Sequence, residues 1–238
     1  MTIGKVLRVL VKLILILIIF GILSFGFIYL RYNEDLPVGT QNEAADQLAN
    51  KMLDALDHEA FDNTSYLEWT FKNKNHYKWN RTGGTCDVIW KDFKVTLSFN
   101  EGINHKAYVH NFEVYDAQAN NLMKTALKKF NNDSFWLIAP YKIFDPGTER
   151  RLVKLDNGED AVLVTYTSGG STPGDSYLWL LEPSGKPYAF KMWASSLPVK
   201  GLKASWNEWI VARSGATLPT KHRILFLNLD MGEVKGIN

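Results

Sequence analysis

A single cysteine, Cys86, stands among 238 residues, so no disulfide can close within the chain. None is needed, because a chain of this size buries roughly 70% of the surface its unfolded form exposes. Cys86 falls on the same side of a strand pattern as Val88 and Trp90 and reads as a small buried hydrophobe. Histidine is scarce too, with five in all. His58, His76 and His222 lie in separate stretches, while His105 and His110 would point to opposite faces of a strand. With no HExxH and no Cys/His cluster, neither a zinc site nor any other cofactor is expected. Phosphate-loop chemistry is missing as well. Gly169-Gly170-Ser171-Thr172-Pro173 lacks a following Gly-Lys-Ser/Thr and the second glycine of a nucleophile elbow, and reads as a mobile loop at a sheet rim. The carboxylate pairs Glu159-Asp160 and Asp54/Asp57 sit in a turn or on a wet helix face, so a non-enzymatic protein is expected. Charge of one sign is also lacking. The net value is +2, part of it in a basic N-terminal tip, and nothing in it suggests nucleic acid as a partner.

What is present begins with an apolar run over residues 13–30, broken only by Gly21, Ser24 and Gly26. As a helix it would extend roughly 27 Å, close to the ~30 Å hydrocarbon core of a bilayer. Lys5, Arg8 and Lys12 precede it, and Glu34 and Asp35 follow Arg31 closely. That asymmetry predicts a single-pass anchor with a cytoplasmic N-terminus and the main domain on the periplasmic, extracytoplasmic side. Tyr29 and Tyr32 fit an interfacial belt. A cleaved signal is the competing reading, but the run is long for one and Ser24-Phe25-Gly26 is a poor cleavage site. The expected organisation is therefore a tip and anchor over 1–32, a short tether over 33–42 and an exported domain over 43–238.

Within the domain, Ala45, Leu48, Ala49, Met52, Leu53, Leu56 and Ala60 make one apolar stripe, predicting a helix over 43–60. Alternation follows: Leu67, Trp69 and Phe71; Tyr77 and Trp79; Val88 and Trp90; then Phe93, Val95, Leu97 and Phe99. Most of these positions alternate with polar ones, the mark of an antiparallel sheet with one buried and one wet face. A second amphipathic helix is expected over 116–130, capped by Asp116 and ended by turns at Asn131, Asn132 and Asp133. Further strands are expected over 161–167, 177–182, 188–193, 204–212 and 222–229. The fold class predicted is α+β, with helices covering one face of a curved antiparallel sheet.

Three segments carry a family resemblance. Ala45-Asp46-Gln47-Leu48-Ala49-Asn50-Lys51-Met52 leading into Tyr66-Leu67-Glu68-Trp69-Thr70-Phe71 resembles the first helix and strand of the LolA/LolB group of bacterial lipoprotein carriers. Gly174-Asp175-Ser176-Tyr177-Leu178-Trp179, with Pro183 and Pro187, is similar to their central hairpin. Trp206 and Trp209 followed by Gly215 and Leu218-Pro219-Thr220 look like their closing strand pair. The resemblance implies a half-barrel of about eleven strands around a hollow for acyl chains. A retained anchor departs from that group, whose soluble members lose a signal peptide and whose outer-membrane acceptors carry a lipidated cysteine.

On this reading the apolar ligand cavity is lined by Trp69, Phe71, Tyr77, Trp79, Val95, Leu97, Phe99, Met123, Trp179, Phe190 and Met192. Arg150 and Arg151 would hold a lipid phosphate or carboxylate at its mouth. The alternative is an envelope assembly module that has a solid aromatic core, no ligand and a protein partner on its loops.

Overall fold

The computed structural model describes residues 3–169 and 172–238; the Gly170-Ser171 part of the glycine loop lies outside them. Helix α1 (Ile3–Tyr32) has a stretch, Val6–Tyr32, that is long and apolar enough to cross a membrane and is largely exposed apart from contacts near its end, such as Ile28. By length and composition alone a signal sequence has the same character.

Residues 33–42 do not hang free. The Glu34 N–H donates to the Lys200 carbonyl at 3.0 Å, the Trp193 indole N–H donates to the Glu34 carbonyl at 2.8 Å, and Lys191 Nζ meets the Glu34 carboxylate at 2.6 Å. Lys200 N–H donates in turn to Asn33 Oδ1 at 2.9 Å. Further on, Thr40 and Leu152 exchange both backbone hydrogen bonds, at 2.9 and 2.8 Å. The expected tether is thus a strap pinned at both ends. Its closest approach needs a glycine, since a Cβ on Gly39 would lie 2.8 Å from Arg151 Cβ.

The predicted first helix is split. Helix α2 (Glu43–Ala55) is capped by Asn42, and α3 (His58–Asp62) follows a break at Asp57, whose φ is +56°. Six strands follow: β1 (Tyr66–Phe71), β2 (Asn75–Asn80), β3 (Thr85–Trp90), β4 (Phe93–Ser98), β5 (Lys106–Val109) and β6 (Phe112–Val114). Helix α4 (Asp116–Ile138) then leads through a short 3-10 turn into nine more strands. These are β7 (Thr148–Lys154), β8 (Asp160–Tyr166), β9 (Ser176–Leu181), β10 (Pro187–Trp193), β11 (Leu202–Ser205), β12 (Glu208–Val211), β13 (Thr217–Ile224), β14 (Leu227–Asp230) and β15 (Lys235–Ile237).

The strands form two antiparallel sheets rather than one curved sheet of about eleven strands. The first runs β15-β1-β2-β3-β4-β5-β6; the second runs β12-β13-β11-β10-β9-β8-β7, with β14 on β13. The sheets meet along one seam. Where β15 leaves β1, the N–H groups of Thr70 and Lys72 donate to the Met231 and Asp230 carbonyls at 2.9 and 2.7 Å. The segment that pairs β14 with β13 therefore also borders β1, and neither sheet closes into a barrel.

The alternation expected for β1 to β4 holds, with Leu67, Trp69, Phe71, Tyr77, Cys86, Val88, Val95 and Leu97 buried. Strands β8 to β10 differ. Val162, Val164, Trp179, Phe190 and Met192 face the main core, while Leu163, Leu178, Leu180, Ala189 and Trp193 form a second buried cluster on the opposite face. The strap, pinned at Trp193 and Leu152, runs on this side of the sheet.

Helix α4 outruns its predicted end at residue 130 by two turns. Asp133 spends its side chain on Tyr77, Asn75 and Asn132 instead of on its own backbone, so the Asn-Asn-Asp run stays helical. Its start also differs, because Asp116 has a φ of +58° and Tyr115, at the cap position, makes no side-chain cap bond.

Candidate apolar ligand site

The inner faces of both sheets converge on α4. From the first sheet, Trp69 stacks on Tyr77 at 4.5 Å between ring centres, and Trp79 and Phe99 each reach Phe130 of α4 at 5.1 Å. One turn on, Phe135 meets Tyr177 at 4.7 Å and Trp136 meets Phe190 at 5.6 Å. Trp179 lies 5.0 Å from both Phe190 and Trp206. One cluster thus joins Trp69, Phe71, Tyr77, Val95, Leu97, Trp179, Phe190 and Met192, all buried, with Trp79 and Met123 packed against its edge. Phe99 is 44% exposed and marks where the cluster reaches solvent.

Two polar latches hold α4 in place. At the first sheet, Asp133 accepts from Tyr77 Oη at 2.5 Å and from Asn75 Nδ2 at 2.7 Å, while Lys129 Nζ donates to Asn75 Oδ1 at 3.0 Å. Burial, reinforced by the Asp133 charge, pushes the Tyr77 hydroxyl far up, so it remains a donor. At the second sheet, His222 on β13 has Nε2 2.7 Å from the Trp136 carbonyl and Nδ1 2.9 Å from the Ser205 carbonyl. Trp136 would ordinarily bond the N–H four residues on, but Pro140 has none. With its proton on Nε2, His222 supplies that missing donor; with it on Nδ1, the ring donates to Ser205 instead. Burial pushes the His222 pKa down to about 4 despite the opposing pull of the two carbonyls.

Four buried donors in the interior have no acceptor among the described residues: the indole N–H groups of Trp69, Trp179 and Trp206 and the Tyr166 hydroxyl. The three tryptophans are fully buried. An indole N–H can only donate, and a buried donor without a partner costs about 1–3 kcal/mol. These donors are open to any acceptor that reaches the interior, an ordered water as well as a carbonyl.

Arg150 and Arg151 are not placed with the aromatic residues. Arg150 Nε binds Asp46 of α2 at 2.5 Å, its Nη1 donates to the Ile143 carbonyl at 2.9 Å, and its guanidinium lies 4.1 Å over the Phe144 ring. Arg151 pairs with Glu149 at 2.9 Å. Both arginines are engaged with acids of the chain itself, and Arg150 joins α2 to the edge of the second sheet. The sequence reading overlooked Phe130, Phe135, Trp136, Trp206 and His222 as parts of the site. Phe130 and Phe135 flank the Asn-Asn-Asp run that reads as a helix end, which hid the aromatic face of the last turns.

Among the described residues no group of three or more His, Cys, Asp and Glu side chains is arranged to hold a metal. Two open surface concavities lie away from the aromatic cluster, on α1 around Phe20 and Phe27 and at the acidic α2–α3 corner.

No protein-family model matches the sequence, and no curated protein is significantly similar to it. Among solved structures, a DUF1329 family protein from Desulfovibrio piger superposes over 83% of this chain and 93% of its own, with 8% identity and a TM-score of 0.41. At that TM-score the likeness bears on neither ligand nor activity.

Proposed function

We propose that this protein is a membrane-anchored component of the cell envelope whose aromatic interior takes up an acyl chain or similar apolar ligand without chemical change. The observation that carries this reading is the set of unpaired donors, Trp69, Trp179, Trp206 and Tyr166, inside an otherwise apolar cluster. Ester or amide carbonyls of a lipid would supply the acceptors they lack. Helix α4 occupies the space between the sheets, so uptake requires its displacement, and the latches at Asp133 and His222 set how readily it moves. On the same reading α1 stays attached, with its N-terminus in the cytoplasm and the sheets on the extracytoplasmic side. The resemblance to LolA/LolB carriers agrees with an acyl ligand, while the anchor speaks for a fixed rather than a shuttling role.

Native mass spectrometry of the full-length protein after mild extraction tests this. A bound mass in the range of an acyl lipid, exchangeable for added fatty acid, is expected. A protein that is ligand-free and takes up neither fatty acid nor detergent would overturn the reading. A second reading, an assembly module with a solid core and a protein partner, is favoured by one feature: α4 is bonded to both sheets and its rings are in direct contact with theirs.

A further inference from the structure

The end of α1 and the tip of the β13–β14 hairpin lie on the same rim. Asn33, the first residue after α1, bonds Lys200, and Gly201 N–H donates to the Met192 carbonyl where β11 begins. Ala204 of β11 pairs with Ile224, so the turn after Ile224 runs back past Leu202 toward α1. Ile28, four residues inside α1 from its end, packs against the main core cluster, to whose edge Leu197, Ile224 and Leu225 also belong. Four helical residues rise ~6 Å. The core cluster therefore meets α1 about 6 Å before the helix ends, at a depth that belongs to the bilayer if α1 spans it.

The turn itself breaks the ordinary rules. Ile224 pairs with Leu227, leaving Leu225 and Phe226 as a two-residue loop. Leu225 has a φ of +51°, where such turns place glycine or asparagine and where a bulky residue is strained. Phe226 and Leu227 are 73% and 51% exposed, two consecutive large apolar residues at a position that water would fill with polar ones, while Leu225 packs against the core edge. Arg223 holds the turn by donating from Nε to the Leu225 carbonyl at 2.9 Å. Across the sheet seam, the β1–β2 turn adds exposed Lys72 and Lys74 at the same end of the strands.

We infer that the Leu225-Phe226-Leu227 turn is a membrane-inserting finger: its partner is the lipid surface beside α1, with Phe226 and Leu227 in the acyl boundary and the neighbouring Lys and Arg at the headgroups. Strain at Leu225 and exposure of Phe226 both have a purpose in that setting. The strap makes the arrangement rigid, since no free linker separates α1 from the sheet. The inference rests on the membrane reading of α1 and is independent of whether the interior binds a ligand.

Its test uses the full-length protein reconstituted in vesicles of phosphatidylcholine with a minor phosphatidylglycerol fraction. Phe226→Cys carries an environment-sensitive NBD label, and Val211→Cys, equally exposed but at the opposite end of β13's pairing with β12, serves as the reference. Cys86 is buried and its thiol is pushed far up by burial, so wild-type protein provides the unlabelled baseline. The expected result is a blue-shifted emission at 226, quenched several-fold more by nitroxide-labelled lipid than at 211 and protected from aqueous iodide. Equal quenching at the two positions would overturn the finger. Failure of the protein to float with the vesicles would overturn the membrane reading and the finger with it, whereas ligand uptake is not read at all. Since Phe226→Cys could disturb the strained turn, Leu227→Cys is labelled in parallel and must behave as position 226 does.

Discussion

In the first sheet the side chains that point away from α4 include Glu68, Thr70, His76, Lys78, Asp87, Lys94 and Thr96. In the second the corresponding face carries Ala161, Leu163, Leu178, Leu180, Ala189 and Trp193 together with Arg151, Lys191 and Lys203. The polar face is internally satisfied: Thr70 meets His76 at 2.8 Å, Thr96 donates to Asp87 at 2.6 Å, and Glu68 receives Tyr66 and Lys235. Although burial works against it, the Tyr66 hydroxyl, Lys235 and His76 together hold the Glu68 carboxyl below its ordinary value. The apolar face has no such option and must be covered. The strap that continues into α1 runs along part of this face, pinned by the Trp193 indole and by the backbone of Leu152.

This contrast can be broken most strongly by truncating equivalent outward positions. Leu163→Ala, fully buried beneath the second sheet, is expected to cost about 2–5 kcal/mol in urea unfolding. Lys94→Ala, facing outward from the first sheet, should stay within about 0.5 kcal/mol of wild type. Similar losses at the two positions would mean that the sheets are not covered differently.

Next in size is the pH response of the His222 latch. Its folded pKa of about 4 lies below the ordinary 6.5, so the unfolded chain binds the proton more tightly. Stability is therefore complete above pH 6.5 and falls as the pH drops toward 4, by about 3 kcal/mol in total. His222→Gln should flatten this part of the pH profile, measured by thermal unfolding. An unchanged profile would show that the buried imidazole is not the titrating group.

A smaller loss is expected at the latch on the other sheet. Asp133→Ala leaves Tyr77 and Asn75 without their acceptor and should cost about 1–3 kcal/mol. Hydrogen exchange should then rise in α4 more than in β1 to β4. Smallest is the strap's ion pair. Lys191→Ala removes a partly exposed partner of Glu34 and should cost about 0.2–1 kcal/mol. Its clearer readout is limited proteolysis, with cleavage between residues 34 and 40 appearing sooner than in wild type.

Much of the first sheet could be read directly from the chain, because most positions from Tyr66 to Ser98 alternate and one face is wet. The apolar run of α1 was equally plain. Harder to read were features decided by distant partners. Asn131, Asn132 and Asp133 resemble a helix stop until Tyr77, 56 positions away, takes the carboxylate. Residues 33–42 resemble a linker until Trp193 and Leu152 bind them. Arg150 resembles a free anion-binding group until Asp46, 104 positions away, is placed beside it. Strand parity puts most of the eleven residues expected to line a cavity on the inner face. Whether that face encloses a guest depends on α4, whose aromatic turns lie beyond the apparent helix end.

The central claim, that the space between the sheets accepts an apolar chain, is tested most directly by tryptophan quenching with a fatty acid brominated at mid-chain. Trp69, Trp179 and Trp206 lie fully buried in the interior. The full-length protein in nanodiscs should show saturable quenching near one equivalent, relieved by unbrominated fatty acid and reached more readily in Asp133→Ala. Quenching that is absent, or that rises without saturation as fatty acid fills the bilayer, would contradict the account.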